Sequence, residues 1–300
     1  MENLTCGVPQ GSILGPTLFI LYINDLVYHT GCFKPIFYAD DTNLFYESKD
    51  LNKDINLINN SLNTVSLWCR TNKLTLNITK TNFILMKSYQ NTFKLKEDIL
   101  INDTCIGEVE SLKFLGVIID SSLNWKNHIH SICTKIRKNV GLLYVASSFF
   151  PQKILIQLYY ALIHSHLSYC VESWGNALPS NLHPLVQLQN KVVKIICKQK
   201  SGSDAIYKQL GILSLKKLYH LRILEQAYKS FYSHPASFTY STRHSLWSLP
   251  LPPSTTQAGY RRVSYQAAAS WNGLPVYLRQ IENFTQFQQA VKKHLLTISD

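Results

Sequence analysis

From Trp125 onward the apolar residues of this chain recur only at helical spacing, whereas before it short strand-like and helical patterns alternate. That change of period restricts the fold to a mixed α/β layer followed by helices. Ile129, Ile132, Ile136, Val140 and Leu143 follow one another three or four apart. Pro151 suits the first position of a helix carrying Ile154, Leu155, Leu158, Leu162 and Ile163, because its missing N–H costs nothing there. Val186, Gln189, Asn190 and residues 193–196 continue in the same way, and Leu215, Leu218, Leu221 and Leu224 mark a further helix. Residues 233–256 are rich in Ser, Thr and Pro and read as a loop or linker. Helical spacing returns around Ala267 and Trp271, and again from 287 to 296.

The first 120 residues are more varied. Residues 17–27 form an apolar run long enough for a buried helix, and 35–46 read as two short strands with Asp40 and Asp41 near their turn. Leu51, Ile55, Ile58, Leu62, Val65 and Trp68 define an amphipathic helix. Further strands are expected at 82–87, at 99–106 with Asn102-Asp103 as the turn, and at 113–119. This order predicts an α+β fold.

At 300 residues and 46% hydrophobic, the chain can bury a substantial core. Thirty Lys and Arg against eighteen Asp and Glu give a net charge of +12, which points to a polyanionic partner or to a solvated basic surface. The seven cysteines are evenly spread with no C-x-x-C pair, so neither a disulfide framework nor a zinc ribbon is indicated. His128, His130 and Cys133, like His164, His166 and Cys170, lack a fourth ligand at suitable spacing. Met1 is followed by Glu2 and Asn3 instead of a basic-then-apolar leader. No uncharged apolar run reaches the roughly 18 residues of a membrane span. The expectation is a reduced, intracellular, soluble protein with no membrane partner.

Two segments carry chemistry. GVPQGSILGP, residues 7–16, is a Gly/Pro-rich loop opening an apolar helix, where glycine lets backbone approach a ligand and Gln10 can bond a base or sugar edge. FYADD, residues 37–41, sets two carboxylates at a hairpin turn, where adjacent acids are more often merely solvated. In this order and this close together, GVPQGSILGPTLF and YADD resemble the reverse transcriptases of non-LTR (LINE-type) retrotransposons. Leu76-Asn77-Ile78-Thr79-Lys80-Thr81 with Met86 is similar to that family's fourth palm motif. Phe114-Leu115-Gly116-Val117, with Trp125 and His128-Ile129, is similar to its primer-grip hairpin and the segment after it. The resemblance continues through Tyr169, Trp174-Gly175 and Gln189-Asn190 to Trp271-Asn272-Gly273-Leu274-Pro275.

The resemblance implies a partial palm of antiparallel sheet plus helices over 1–122, an all-helical thumb over 123–232, the linker 233–256 and a helical C-terminal extension over 257–300. It implies an RNA-directed DNA polymerase acting on an RNA template, a DNA primer and deoxynucleoside triphosphates, with two Mg2+ ions, or Mn2+ in their place. Joining a 3′-hydroxyl to an α-phosphate uses two divalent ions, and Mg2+ needs only one or two carboxylates beside substrate phosphates. By resemblance Asp40 and Asp41 are the metal ligands, Lys80 approaches the leaving phosphate, and Pro9, Gln10, Gly11, Tyr38 and Ala39 shape the pocket for template base and nucleotide. Phe114, Leu115 and Gly116 press on the primer backbone. An ordinary surface lysine accounts equally for Lys80, and a buried strand for the hairpin trio.

Residues 186–230 carry Lys191, Lys194, Lys198, Lys200, Lys208, Lys216, Lys217, Arg222 and Lys229, interleaved with Tyr207, Tyr219 and Tyr228. Phosphate contact with stacking is one reading, and a solvated helix face over core tyrosines the other. The family's first palm motif supplies another metal-binding Asp upstream of the glycine loop, yet only six residues precede Gly7. The expectation is therefore a truncated chain, without fingers and with half its metal site, that polymerises poorly or not at all. The alternative is a non-catalytic nucleic-acid-binding remnant of such an element.

Overall fold

The computed structural model describes residues 11–87, 93–198, 204–233 and 247–298, which divide into two compact units, Met1–Leu112 and Lys113–Asp300. Pro9, Gln10, Lys200 and residues 234–246 of the expected linker lie outside the described residues.

In the first unit, helix α1 (Gly15–Ile23) has Pro16 in its first turn and runs on into a 3₁₀ segment, Asn24–His29. Strands β1 (Lys34–Tyr38) and β2 (Asp41–Phe45) form an antiparallel hairpin, with Lys34 opposite Phe45 and Tyr38 opposite Asp41. Helix α2 (Leu51–Thr71) is the spine of the unit. Its buried residues split between two small cores. Val65 and Trp68 meet Ile23 and Leu26, while Ile58 and Leu62 meet Ile101 and Ile106. Gly31 is left-handed (φ 60°) and lies so close to Ser61 of α2 that a Cβ would collide with its side chain; the neighbouring Cys32 N–H donates to Ser61 Oγ at 3.3 Å.

The remaining strands of this unit are two residues long. Strands β3 (Asn82–Phe83), β4 (Leu100–Ile101), β5 (Thr104–Cys105) and β6 (Gly107–Glu108) pair as β3 with β6, in parallel, and β4 with β5, antiparallel. Asn102 and Asp103, both at positive φ (46° and 62°), make the expected tight turn between β4 and β5. Their edge is closed by α2. Asn52, Asn59 and Asn63 accept the backbone N–H groups of Lys96, Leu100 and Asn102 at 3.0, 3.0 and 2.8 Å, and Asn102 Nδ2 donates to Ser66 Oγ at 2.6 Å.

Three expectations need correction here. The strand at 82–87 shrinks to two residues, and among the described residues the strands pair only two at a time instead of forming one antiparallel sheet. The run 113–119 is not one strand: β7 (Ser111–Phe114) pairs with β8 (Val117–Asp120) across a turn at Leu115 and Gly116, whose φ of 44° and 87° fold the chain back. The apolar run 17–27 forms a helix that is mostly uncovered, because only its Ile23 and Leu26 are buried, with Phe19 half-buried against them, while Ile20 and Leu21 stay 61% and 67% exposed.

The second unit is helical after β8, as the spacing predicts. Helices α3 (Lys126–Ala146), α4 (Gln152–Tyr159), α5 (Ser165–Ser168), α6 (Val171–Trp174), α7 (Pro179–Cys197), α8 (Asp204–Leu210) and α9 (Leu215–Ser233) share one core with α11 (Val263–Gly273), α12 (Val276–Arg279) and α13 (Phe284–Thr297), and α10 (Gln257–Tyr260) precedes α11. Pro151 caps α4 from one residue outside it, and a π turn over Tyr160–His164 separates α4 from α5. Gln189 is almost fully buried and fully used. Its Nε2 donates to Tyr159 Oη and to the Leu213 carbonyl at 3.0 and 2.9 Å, and its Oε1 accepts the Leu215 N–H at 2.8 Å.

The segment WNGLP, 271–275, also finds a structural role. Trp271 is buried between Phe231 and Phe287, its Nε1 donates to the Trp247 carbonyl at 2.9 Å, and Asn272 exchanges two hydrogen bonds with the backbone of Leu249. Arg279 adds a bond to the same Trp247 carbonyl at 2.8 Å. Residues 247–249 are thereby fastened to α11 and α12.

Replacing Asn59 by Ala should lower the urea-unfolding free energy by roughly 1–2 kcal/mol, since it strips the Leu100 N–H of its acceptor. Exchange protection should fall at Leu100 and not in the 113–300 helices.

Candidate catalytic and nucleic-acid-binding residues

The pairing of Tyr38 with Asp41 leaves Ala39 and Asp40 as a two-residue turn. Ala39 carries φ 51°, a conformation that a residue with a Cβ adopts only under strain. Asp40, Asp41 and Ala39 are exposed, and Tyr38 is 61% exposed. Among the described residues neither carboxylate has an ion-pair or hydrogen-bond partner. A cationic neighbour would have explained the pair as a surface salt bridge, and none lies within ion-pair distance among the described residues. Acceptor-only carboxylates, side by side and open to solvent, suit a hard divalent cation that retains water or phosphate ligands.

Lys80 ends a 3₁₀ turn, Ile78–Lys80, capped by the Asn77 side chain, which accepts its backbone N–H at 3.2 Å. Its ammonium is exposed and unpaired among the described residues. Gly11 is exposed with a left-handed backbone (φ 88°).

In the second unit, Phe114 and Leu115 are half-buried and Gly116 is exposed at its turn. Two side chains hold this hairpin. The Tyr169 hydroxyl donates to the Leu115 carbonyl, and the Ile118 N–H donates to His128 Nδ1 at 3.2 Å. A Cβ on Gly116 would lie 3.4 Å from the Tyr169 ring, so glycine serves both the positive φ and this close approach. The loop after β8 is caged by Asp120, whose Oδ1 accepts the N–H groups of Ser122 and Asn124 and whose Oδ2 accepts that of Trp125 at 2.8 Å. That cage holds Leu123 and Trp125 at positive φ (53° and 64°) and starts α3. Asp120 escaped the sequence reading, although the cluster Asp120-Ser121-Ser122 and Asn124 is a turn signal in its own right.

His128 is 4% exposed and stands edge-on to Trp174, with ring centroids 5.6 Å apart. Burial, with Lys135 nearby, pushes its pKa from 6.5 down to about 4. The ring is therefore neutral near pH 7. Because Nδ1 accepts from Ile118, the proton sits on Nε2, which has no partner among the described residues.

The basic residues divide. Lys191, Lys198 and Lys216 are exposed and Lys194 is half-buried. Lys217 leaves this set, because it is 7% exposed and its Nζ donates to the Ile298 carbonyl at 2.7 Å. Arg222 is paired with the buried Glu225 at 2.7 Å. Tyr207, Tyr219 and Tyr228 are buried in the core, which removes them as stacking platforms. None of the described helices is long and apolar enough to cross a membrane.

Residues 2–119 match the family model described as "Reverse transcriptase (RNA-dependent DNA polymerase)". The chain is 27% identical over 223 residues to the "Probable RNA-directed DNA polymerase from transposon X-element" of Drosophila melanogaster, covering 71% of this chain and 24% of that protein. It is 26% identical over 207 residues to the "RNA-directed DNA polymerase from mobile element jockey" of Drosophila funebris, covering 65% and 22%. The "Probable RNA-directed DNA polymerase from transposon BS" of Drosophila melanogaster gives 27% over 229 residues, covering 71% and 25%. The chain thus spans about a quarter of the length of these curated relatives. No solved structure matches it.

Unfolding of the chain should depend on His128. Between pH 6.5 and about 4 the unfolded imidazole binds a proton that the folded one refuses, so stability is full above 6.5 and falls as pH drops towards 4. The loss attributable to this group should approach about 3 kcal/mol. A His128→Asn variant, which keeps an acceptor for Ile118, should lack that component when denaturant curves are compared from pH 7 to pH 4.

Proposed function

We propose, from the membership of residues 2–119 in the reverse transcriptase family of non-LTR retrotransposons, that this chain carries part of an RNA-directed DNA polymerase whose acidic centre is Asp40 and Asp41. The observation that carries this reading is the turn itself. Two carboxylates stand exposed at a backbone position strained at Ala39, with no cation opposite them among the described residues. A two-residue hairpin turn accounts for the positive φ, and divalent-ion binding adds a reason for two acids at the same place.

Asp40 and Asp41 would hold Mg2+, which supplies charge stabilisation for the attacking and leaving oxygens of nucleotidyl transfer. The chain's own residues would do the positioning. Tyr38 presents an open ring beside the acids, Lys80 brings an unpaired ammonium for phosphate, and the Leu115-Gly116 turn offers backbone for primer contact. Lys191, Lys194, Lys198 and Lys216 would contact the strands as charges, without stacking from the tyrosines between them. Template RNA, primer and deoxynucleoside triphosphates are the corresponding partners. The 300-residue polypeptide taken alone is expected to polymerise poorly, since one acidic pair supplies only part of a two-ion site.

RNA-templated primer extension with Mg2+ tests this, first with the chain alone and then with palm and fingers from a relative added in trans. Synthesis in the supplemented reaction should vanish with Asp40→Asn. Equal synthesis by the variant would remove Asp40 from the centre. Affinity for primer–template should fall about a hundredfold between roughly 50 and 200 mM salt if the four lysines all meet phosphate. A flat salt response would return them to the solvated surface.

A further inference from the structure

Helix α3 carries an uncovered apolar face at its C-terminal end. Lys138, Leu142 and Val145 follow at spacings of four and three, so they share the side opposite the buried Ile136, Val140 and Leu143, and all three are exposed. The turn into α4 then adds Phe149, 77% exposed, and the exposed Phe150. Its backbone is held closed, because the N–H groups of Phe149 and Phe150 both donate to the Ala146 carbonyl, at 3.0 and 2.9 Å, and Pro151 follows. Neither phenyl ring meets another aromatic ring among the described residues. Contiguous exposed apolar side chains rimmed by charge mark a binding surface. The charge is one-sided. Helices α3, α4 and α7 contain no Asp or Glu, and residues 121–203 hold a single acid, Glu172. Lys138 on α3 and Lys153 on α4 border the rings, and neither has an ion-pair partner among the described residues. Gln152 Nε2 donates to Cys197 Sγ at 3.7 Å, which brings the start of α4 beside the end of α7 and the exposed Lys198.

We propose that Phe149 and Phe150 form a stacking platform for the unpaired bases of a single-stranded nucleic acid, with Lys138 and Lys153 on its phosphates. An isologous contact would set this acid-free surface against itself, so like charge disfavours a second copy of the chain and favours a polyanion. The choice of a polynucleotide among polyanions rests on the polymerase reading. Phenyl rings accept any base, since every base has a π-face, whereas a duplex keeps those faces covered by its own stacking. The platform supplies the aromatic contact that the buried Tyr207, Tyr219 and Tyr228 do not. A stacked base would also cover apolar surface that water now meets at Leu142 and Val145.

Fluorescence anisotropy of the full chain would be read with labelled oligouridylate, an abasic oligonucleotide of equal charge and a blunt RNA–DNA hybrid. Oligouridylate should bind more tightly than the abasic strand. Phe149→Ala should weaken oligouridylate about tenfold, with the abasic strand, the hybrid, the salt slope and thermal unfolding unchanged. Phe149→Trp should restore the lost affinity. Lys153→Gln should weaken oligouridylate and the abasic strand alike and lower the salt slope by about 0.7. Oligouridylate and abasic strand bound equally, or oligouridylate indifferent to Phe149→Ala, would overturn the platform, and retained binding of the hybrid would leave the polymerase reading intact. Failure of the unaltered chain to bind any of the three would overturn both. Phosphatidylserine vesicles that bind in a Phe149-dependent way, while oligouridylate does not, would assign the patch to a lipid surface instead.

Discussion

A backbone N–H buried without an acceptor is costly, and this chain meets that constraint with side chains more than with sheet. Its strands pair only two at a time among the described residues, so each pair has two open edges. In the first unit Asn52, Asn59 and Asn63 of α2 close the edge at residues 96–102. In the second, Asp120 closes the loop into α3, His128 takes the Ile118 N–H, and Gln189 joins α7 to the start of α9. Remove these acceptors and the hairpins lose the partners that fix their orientation, whatever the apolar cores do.

The same constraint explains what could be read from the sequence. Helix α2 was legible because a helix core repeats every three or four residues, and Ile55, Ile58, Leu62, Val65 and Trp68 all point inward. The Asp40-Asp41 hairpin was legible because apolar alternation and a turn fall within one short stretch. Asn59 with Leu100, or Gln189 with Leu215, was not, since side-chain-to-backbone bonds across dozens of residues leave no local period. Polar residues on a helix read as solvated until their partners are known. The tyrosines of residues 207–228 show the converse, because spacing alone does not separate an amphipathic aromatic in a core from one awaiting a base.

Helix α1 sets a second limit. A run as apolar as residues 17–27 is expected to be buried, yet Leu18, Ile20, Leu21 and Tyr22 are 44–67% exposed. Hydrophobicity signals a demand for burial without naming what meets it. The helix supports the acidic hairpin through Phe19 and Ile23, which pack in the same small core as Phe37 and Leu44. One face thus fixes where the carboxylates stand. The other is open to solvent, and its Tyr22 hydroxyl donates to the Asn72 carbonyl.

Among the residues that resemble the family, burial separates two kinds of necessity. His128, Trp174, Gln189 and Trp271 are buried and hydrogen-bonded to backbone, so packing and bond satisfaction are sufficient reasons for their identity. Asp40, Asp41, Tyr38 and Lys80 are exposed, and the two carboxylates and the ammonium have no partner among the described residues. His128 straddles the division, since Nδ1 serves the fold while Nε2 serves nothing in it. Its Nε2 is buried with no partner among the described residues, so the Ile118 bond and the Trp174 packing are the reasons the fold supplies for an imidazole there.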